Sequence, residues 1–448
     1  MEERDSQGRY RPQVRWPFAL FNSIVDAVDR LRSKPTFSIS REEVLRRAQR
    51  ATNIIDLDAW ELGEPLLKWC DSLLDPGLTP LGRCMKKASI VSAVTNRLRI
   101  ERLLRDDPLI QAEPVQSPWF VMGLPRSGTT LLHRLLAQDP RHRAPLFWEV
   151  TYPFPRGPRD IGPRRLASAR RITRLYRYAQ PEMRIKHETQ ADSPEECRQL
   201  LNNSLVREGI EWFMTREFDQ DIWSAARARA YQLHKTQLQY LQRNQPPRTW
   251  VLKDPAHLFN LRWLLEVYPD ACIIKLHRDP LEALPSLASL VTSLARYGLR
   301  EVDLNAIGQQ CQYYADLTCF SYFNTQQGSD ELAALGVRVV DVRYTDLVSD
   351  PIKTLESIYA RFDREITPDA RGHMQSYIEA HPRDRFGSHR YRLSDFGLDE
   401  SRLRESFAPY VQRYLQPAQI SQATHSARST SSTRCPGSRT MAVKTRVR

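Results

Sequence analysis

Gly123-Leu-Pro-Arg-Ser-Gly-Thr-Thr130 gathers in one short stretch what an anion site needs. Its two glycines lie five positions apart, a spacing that lets the backbone N–H groups turn inward. The helix expected to follow presents its positive end to the same point. Ser127, Thr129 and Thr130 add hydroxyl donors, and Arg126 adds a forked cationic donor suited to phosphate oxygens. A second anion-directed pair lies further on. Arg278 follows directly on a short apolar run, and Ser286 stands eight residues later in the next helical segment. Strand ends and helix starts of open α/β sheets gather at the ligand crevice, so an Arg and a Ser there can clamp a second, separate phosphate; on composition alone a surface or salt-bridge role for Arg278 is an equal alternative.

The first loop departs from a Walker A motif at one informative position. Thr129 stands where that motif carries the Lys that holds the β- and γ-phosphates together with a metal ion. This argues against ordinary ATP or GTP hydrolysis, and the cation inside the loop at Arg126 suggests a differently anchored anion. Pro125-Arg-Ser-Gly-Thr-Thr130 resembles the 5′-phosphosulfate loop of the sulfotransferases, in the bacterial-type branch. Those enzymes use 3′-phosphoadenosine 5′-phosphosulfate (PAPS). The resemblance implies that Pro125, Arg126, Ser127, Gly128, Thr129 and Thr130 hold the phosphosulfate end. It implies that Arg278 and Ser286, at the family's eight-residue spacing, contact the 3′-phosphate. Tyr344, in Val342-Arg-Tyr-Thr-Asp346, matches the aromatic that packs near the adenine. Arg385, in the basic segment 381–398, is the favoured substitute for the family's late Arg-Lys-Gly triplet, which is absent; Arg383 and Arg390 are the alternatives. The resemblance runs from about Trp119 to Tyr414.

Sulfuryl transfer needs the acceptor oxygen, the sulfur and the leaving oxygen in line. It also needs positive charge at the leaving oxygen and a base for the acceptor proton. Lys253, ending the run Trp250-Val-Leu-Lys253, resembles the family's strand-end Lys and is expected to stabilise the departing phosphate. The small-molecule branch has its catalytic His two residues further, where this chain has Pro255; His257 follows. Glu149, His257 and the His187-Glu188 pair are all candidate bases, and the sequence does not choose among them. The implied reaction carries a sulfuryl group to a hydroxyl, less readily an amine, of a small-molecule, lipid or carbohydrate acceptor. Its product is 3′,5′-adenosine diphosphate, and no metal is expected. Trp148, Tyr152, Phe154, Trp212 and Phe213 are candidates for an apolar acceptor wall. The competing readings are a small-molecule kinase using Mg-ATP and a basic nucleic-acid-binding protein.

These residues need a scaffold. Trp119–Gly123, Trp250–Leu252, Cys272–Leu276 and Val337–Val342 read as short apolar strands, with helical runs such as Leu258–Val267 and Leu281–Tyr297 between them. Alternating strands and helices predict an α/β, P-loop-like nucleotide fold: a central parallel sheet flanked by helices. Residues 1–115 form an N-terminal helical elaboration, with a capping box at Ser40 and Glu43 and an amphipathic run Leu81–Leu104. Residues 116–415 form the main domain, ending in a helix over Asp399–Tyr414. Residues 416–448, Ser/Thr-rich with six basic residues and no acid, read as a disordered tail.

Composition limits the remaining choices. The chain has 448 residues, 41% of them hydrophobic and 27% charged, an ordinary globular balance. The net charge of +13 is concentrated in the tail and in the segment Arg141–Arg177, which has ten Arg against Glu149 and Asp160. That segment lacks the aromatic alternation of a base-stacking surface, so no nucleic-acid partner is expected. Seven cysteines without a CxxC pair point to free thiols in a reducing compartment, and a cytoplasmic location is expected. No apolar run approaches membrane-span length, which leaves peripheral membrane contact and homodimerisation open.

Overall fold

Residues 8–53, 63–155, 160, 162–205, 220–382 and 391–416 are described by the structure, a computed structural model. Five strands form one parallel sheet: β1 (Trp119–Gly123), β2 (His142–Arg143), β3 (Thr249–Lys253), β4 (Cys272–His277) and β5 (Arg338–Arg343). Their order is β2-β3-β1-β4-β5, which puts the strand leading into the glycine loop at the centre. The helices used below are α1 (Trp16–Asp29), α2 (Arg41–Thr52), α3 (Pro80–Asp106), α4 (Thr129–Leu136), α5 (Gly162–Ala179), α6 (Gln220–Gln242), α7 (Pro280–Ala295) and α8 (Glu400–Tyr414).

Both faces of the sheet are covered, which explains why β1 reads as an unbroken apolar run. Successive side chains still go to opposite sides. Phe120 and Met122 join one core with Trp250, Leu252, Ile273 and Leu238 of α6. Trp119 and Val121 join the other with Val251, Ile274 and Leu132 of α4. Full burial of side chains of this size contributes ~1.5–3 kcal/mol each, so the centre of the sheet is firmly held.

β1 and β4 pair in parallel from Trp119↔Cys272 to Gly123↔Leu276. Gly123 closes that ladder at φ +140°, and a Cβ there would lie 2.3 Å from the Leu276 carbonyl oxygen. Only glycine lets the chain leave the strand this close to its neighbour.

The N-terminal helices have their own core, built from Val44 and Ala48 of α2 and Ile90, Val94 and Leu98 of α3. Ser40 caps α2 by accepting the Glu43 N–H, as its sequence signature predicts. The Thr79 N–H donates to the Gly298 carbonyl, and Asp26 of α1 pairs with Arg300, tying these helices to the main domain. The chain through Leu415 forms one compact unit.

The expected strands and helices are present with small shifts at their ends. Leu258–Val267 is shortened at its start: the helix runs Leu261–Val267, and a separate 3-10 turn over Pro255–His257 precedes it. Pro255 at the first turn position and the Asp254 carboxylate accepting the Ala256 N–H account for the turn. The two-residue edge strand β2 lies inside the basic segment and has no apolar run to announce it. The tail from 417 onward lies outside the described residues.

Candidate active site

The loop after β1 turns at Arg126, which has φ +72°, and at Gly128, which has φ +92°. The Ser127 N–H donates to the Leu124 carbonyl at 3.1 Å, and the Leu132 N–H to Gly128 at 3.0 Å. This starts α4 directly over the loop. Ser127 is fully buried, and among the described residues its Oγ has no hydrogen-bond partner. An orphaned buried hydroxyl in a turned-in loop fits a bound phosphate oxygen. Gly128 lies against Tyr344: a Cβ there would be 2.9 Å from Tyr344 Cδ2.

The two anion-directed groups of the sequence meet in space. Arg126 Nε donates to Ser286 Oγ at 3.0 Å, and its Nη1 donates to the Lys186 carbonyl at 2.6 Å. Arg278 Nη1 donates to the Arg126 carbonyl at 2.7 Å. The rest of the Arg278 guanidinium faces Glu282, and it lies 4.3 Å from the centroid of the Tyr344 ring. Burial and the neighbouring Arg278 charge both lower the Arg126 pKa. Lys186 belongs to the same cluster. Its Nζ donates to Ser293 Oγ and the Ser289 carbonyl of α7, and burial brings its pKa down to about 8.

Beside the loop is a cavity of about 340 Å³. Arg126, Thr129 and Thr130 form part of one wall. Phe147, Ile172, Tyr176, Met183, Leu287 and Leu290 make much of the remainder apolar, while His187, Glu195 and Glu196 add polar groups.

Lys253, at the end of β3, is buried beneath this cavity's polar wall. Its Nζ lies 3.3 Å from Thr130 Oγ1 and 2.5 Å from Glu196 Oε1. Arg198 continues the chain of charges, 3.6 Å from Glu196 Oε2 and 2.7 Å from Asp254 Oδ1. Burial alone would raise the Glu196 pKa, but the Lys253 and Arg198 charges outweigh it and keep the carboxylate ionised. Asp254 moves the other way: burial raises its pKa despite Arg198. Glu195 lies 3.9 Å from His187 Nε2; burial works against its charge, but His187 lowers its pKa overall.

Four predicted catalytic residues therefore occupy different places. Lys253 touches the loop. Glu149 does not line the cavity: it caps its own short helix through the Leu146 N–H and pairs with Arg143 at 2.9 Å. His257 is fully buried under the sheet, bonded to the Tyr231 hydroxyl at 2.7 Å and packed on Phe120. Glu188 accepts from Gln190, and its carbonyl accepts from Arg134, while its neighbour His187 lines the cavity. In each case a local partner takes the side chain, which spacing alone does not reveal.

Arg385, with its alternatives Arg383 and Arg390, lies outside the described residues, as do Trp212 and Phe213. Phe154 is in a core with Ile100 and Leu233, and Arg165 covers the Trp148 ring; the cavity takes Phe147 as its aromatic from that stretch. Glu195, Glu196 and Arg198 were not predicted as site residues. Their signal was the Pro194-Glu-Glu196 run, whose pairing with a strand-end Lys needs the fold to appear. The basic segment is also partly consumed locally: Arg141 pairs with Asp139, Arg143 with Glu149 and Arg170 with Asp192.

Residues 118–369 match the sulfotransferase family. The chain belongs to the sulfotransferase family. It is 28% identical over 256 residues to the omega-hydroxy-beta-dihydromenaquinone-9 sulfotransferases Stf3 of Mycobacterium bovis and Mycobacterium tuberculosis. That match takes in 54% of this chain and 61% of each relative, so it spans less than two thirds of their length. The fold agrees with that of the sulfotransferase STF9 from Mycobacterium avium at a TM-score of 0.70 and 28% identity, covering 83% of this chain and 96% of that one. The sulfotransferase STF1 from Mycobacterium tuberculosis gives a TM-score of 0.66 at 26% identity, covering 83% of this chain and 99% of that one. These likenesses take in the α/β sheet and its flanking helices.

Proposed function

We propose that the protein transfers a sulfuryl group from PAPS to the hydroxyl of an apolar small molecule or lipid. The observation that carries this reading is the junction at Arg126, where the phosphate-type loop, Ser286 and Arg278 come together. PAPS carries anionic groups at both ends of one adenosine, and two adjoining cationic sites suit it. When bound it supplies the activated sulfuryl group.

The protein's part is alignment and charge. The turned-in loop amides, with the hydroxyls of Ser127, Thr129 and Thr130, hold the 5′ end. Arg278 and Ser286 hold the 3′-phosphate, and Tyr344 supplies a flat face at the strand end. Lys253, paired with Glu196 and next to Thr130, offsets the charge that develops on the departing phosphate oxygen. As the acceptor O–S bond forms and the sulfur–phosphate oxygen bond breaks, the acceptor proton passes to His187. Glu195 beside it stabilises the imidazolium that results. This choice of base rests on His187 lining the cavity while Glu149, Glu188 and His257 do not.

The apolar cavity wall favours a hydrophobic alcohol over a sugar, and the relatives named for a menaquinone derivative agree with that direction. A cytoplasmic location belongs to the same reading, supported by six free cysteines among the described residues.

Two measurements test this. Titration calorimetry should detect binding of 3′,5′-adenosine diphosphate in buffer containing chelator. Incubation with PAPS and a panel of hydrophobic alcohols, phenols and sugars should give a mass gain of one sulfo group on the alcohols or phenols. Absence of nucleotide binding overturns the reading; transfer to sugars alone overturns the acceptor class.

A further inference from the structure

The N-terminal helix exposes an apolar ridge that nothing in the described chain covers. Trp16, Leu20, Ile24 and Val28 recur every four residues on α1, and Trp16, Leu20 and Ile24 are 73%, 51% and 56% exposed. Leu31, just past the helix, is 90% exposed. Side chains of this kind normally face a core, and a continuous outward row of them marks a contact surface. Helix α5 lies alongside: Tyr178 packs on Phe18 with ring centroids 6.5 Å apart, and Arg15 covers the Tyr178 ring. Helix α5 adds Ile172 and Leu175, 43% and 58% exposed.

The charge around this ridge is mainly positive. Helix α5 contains no acid and exposes Arg171, Arg174 and Arg177, while its exposed Arg170 pairs with Asp192. The two acids of α1 are paired: Asp26 with Arg300, and Asp29 with Arg83 at 3.0 Å. At the C-terminal end of α1 a polar cavity of about 640 Å³ opens beside Leu31. Its cations are Arg32, Lys34, Arg47 and Lys87, against Glu43, which Arg47 already pairs. Burial and the Arg47 charge lower the Lys87 pKa, against the opposing effect of Glu43, and its Nζ donates to the Ser38 carbonyl at 3.1 Å.

We propose that the α1–α5 face docks on an anionic phospholipid bilayer, with the ridge in the acyl boundary and the Arg32–Lys34–Lys87 cavity receiving lipid phosphate. Charge complementarity selects this occupant. A second copy of the chain would bring the same cations against each other, whereas anionic head groups neutralise them. An apolar face with a Trp at one end and basic residues around it has the make-up of an interfacial helix. The placement also has a consequence for substrate entry. Ile172 of α5 is 43% exposed and also lines the 340 Å³ cavity, so an apolar acceptor arriving at α5 has a short path inward. Docking is independent of the proposed reaction; delivery of the acceptor rests on it.

Flotation of the full chain with vesicles tests the docking. Binding is expected to vesicles of phosphatidylcholine containing phosphatidylglycerol, to fall at high salt, and to be weak on phosphatidylcholine alone. L20N/I24N should lower the binding constant at least about tenfold, since two apolar side chains leave the boundary. R32Q/K34Q should lower it about 30-fold, the effect of removing two cations from an anionic surface. Both sets of positions are exposed, and calorimetry should show unchanged 3′,5′-adenosine diphosphate affinity, which certifies folded variants. No binding to phosphatidylglycerol vesicles overturns the proposal. So does a concentration-dependent dimer that L20N/I24N abolishes, because the ridge then serves a second copy. A wild-type chain that floats but binds no nucleotide would refute the transferase reading and leave the docking intact.

Discussion

Arg126 Nε lies 3.0 Å from Ser286 Oγ, joining two segments 160 residues apart. Through this contact the loop after β1 and the first turns of α7 are joined. Arg278 adds a second link by donating to the Arg126 backbone carbonyl, so in the proposed site the loop's conformation and the phosphate clamp depend on each other.

Arg278→Ala removes a cation from the clamp and a hydrogen bond from the loop. Charge-assisted bonds of this kind contribute ~1.5–3 kcal/mol, so 3′,5′-adenosine diphosphate should bind about 10- to 100-fold more weakly. Calorimetry checks it. Ser286→Ala should cost less, since it removes a neutral hydroxyl.

Gly128→Ala places a methyl group 2.9 Å from Tyr344 Cδ2 at a φ of +92°. Strain at such a position is ~1–3 kcal/mol, and the Tyr344 ring must shift. Both the midpoint of thermal unfolding and nucleotide affinity should drop. Pairing the change with Tyr344→Ala should recover part of the stability and none of the affinity.

Lys253→Met leaves Glu196, 20% exposed at the cavity wall, without its nearest cation but with Arg198 at 3.6 Å. Breaking one side of a fully buried pair costs ~3–5 kcal/mol, so stability should drop by less than that, and turnover should collapse with it. The double variant Lys253→Met with Glu196→Gln should regain much of the stability while turnover stays low. Urea unfolding and a PAPS transfer assay separate the two effects.

His187→Gln should lower kcat about 100-fold or more, within the range for losing a general base, and leave nucleotide affinity unchanged. Glu149→Gln, His257→Gln and Glu188→Gln should each retain kcat within severalfold of wild type. If Glu149→Gln instead shows the large loss, the base assignment is wrong.

Lys186 supplies a pH dependence. Its pKa falls from 10.5 to about 8 on folding, chiefly through burial. Between those values the unfolded chain binds more protons than the folded one, so this group makes stability rise with pH across the window and adds no slope below it. Lys186→Met should flatten that rise. Urea midpoints at the two ends of the window, compared between wild type and variant, measure the difference.

The amino-acid sequence was enough for the glycine loop, because its geometry is local: turned backbone, glycines and a helix start within a few residues. It was also enough for the parallel sheet, since a run such as Trp119–Gly123 is apolar on both faces only if both are covered. Capping signals such as Ser40 with Glu43 worked for the same reason. The Arg278–Ser286 spacing pointed correctly to the loop's neighbourhood, because a strand end and the next helix cannot be far from the crevice they border.

Tertiary structure decided which polar side chains face that crevice. Glu149, His257 and Glu188 had suitable chemistry, yet each was claimed by a partner: Arg143, Tyr231 and Gln190. Glu196 became important only because β3 and the Pro194–Arg198 segment meet, bringing it to Lys253. The outward row Trp16, Leu20, Ile24 and Val28 on α1 likewise emerges only from the packing, which leaves it exposed among the described residues. Residue type sets what a group can do; the balance between burial and pairing, fixed by contacts distant in the chain, sets where it does it.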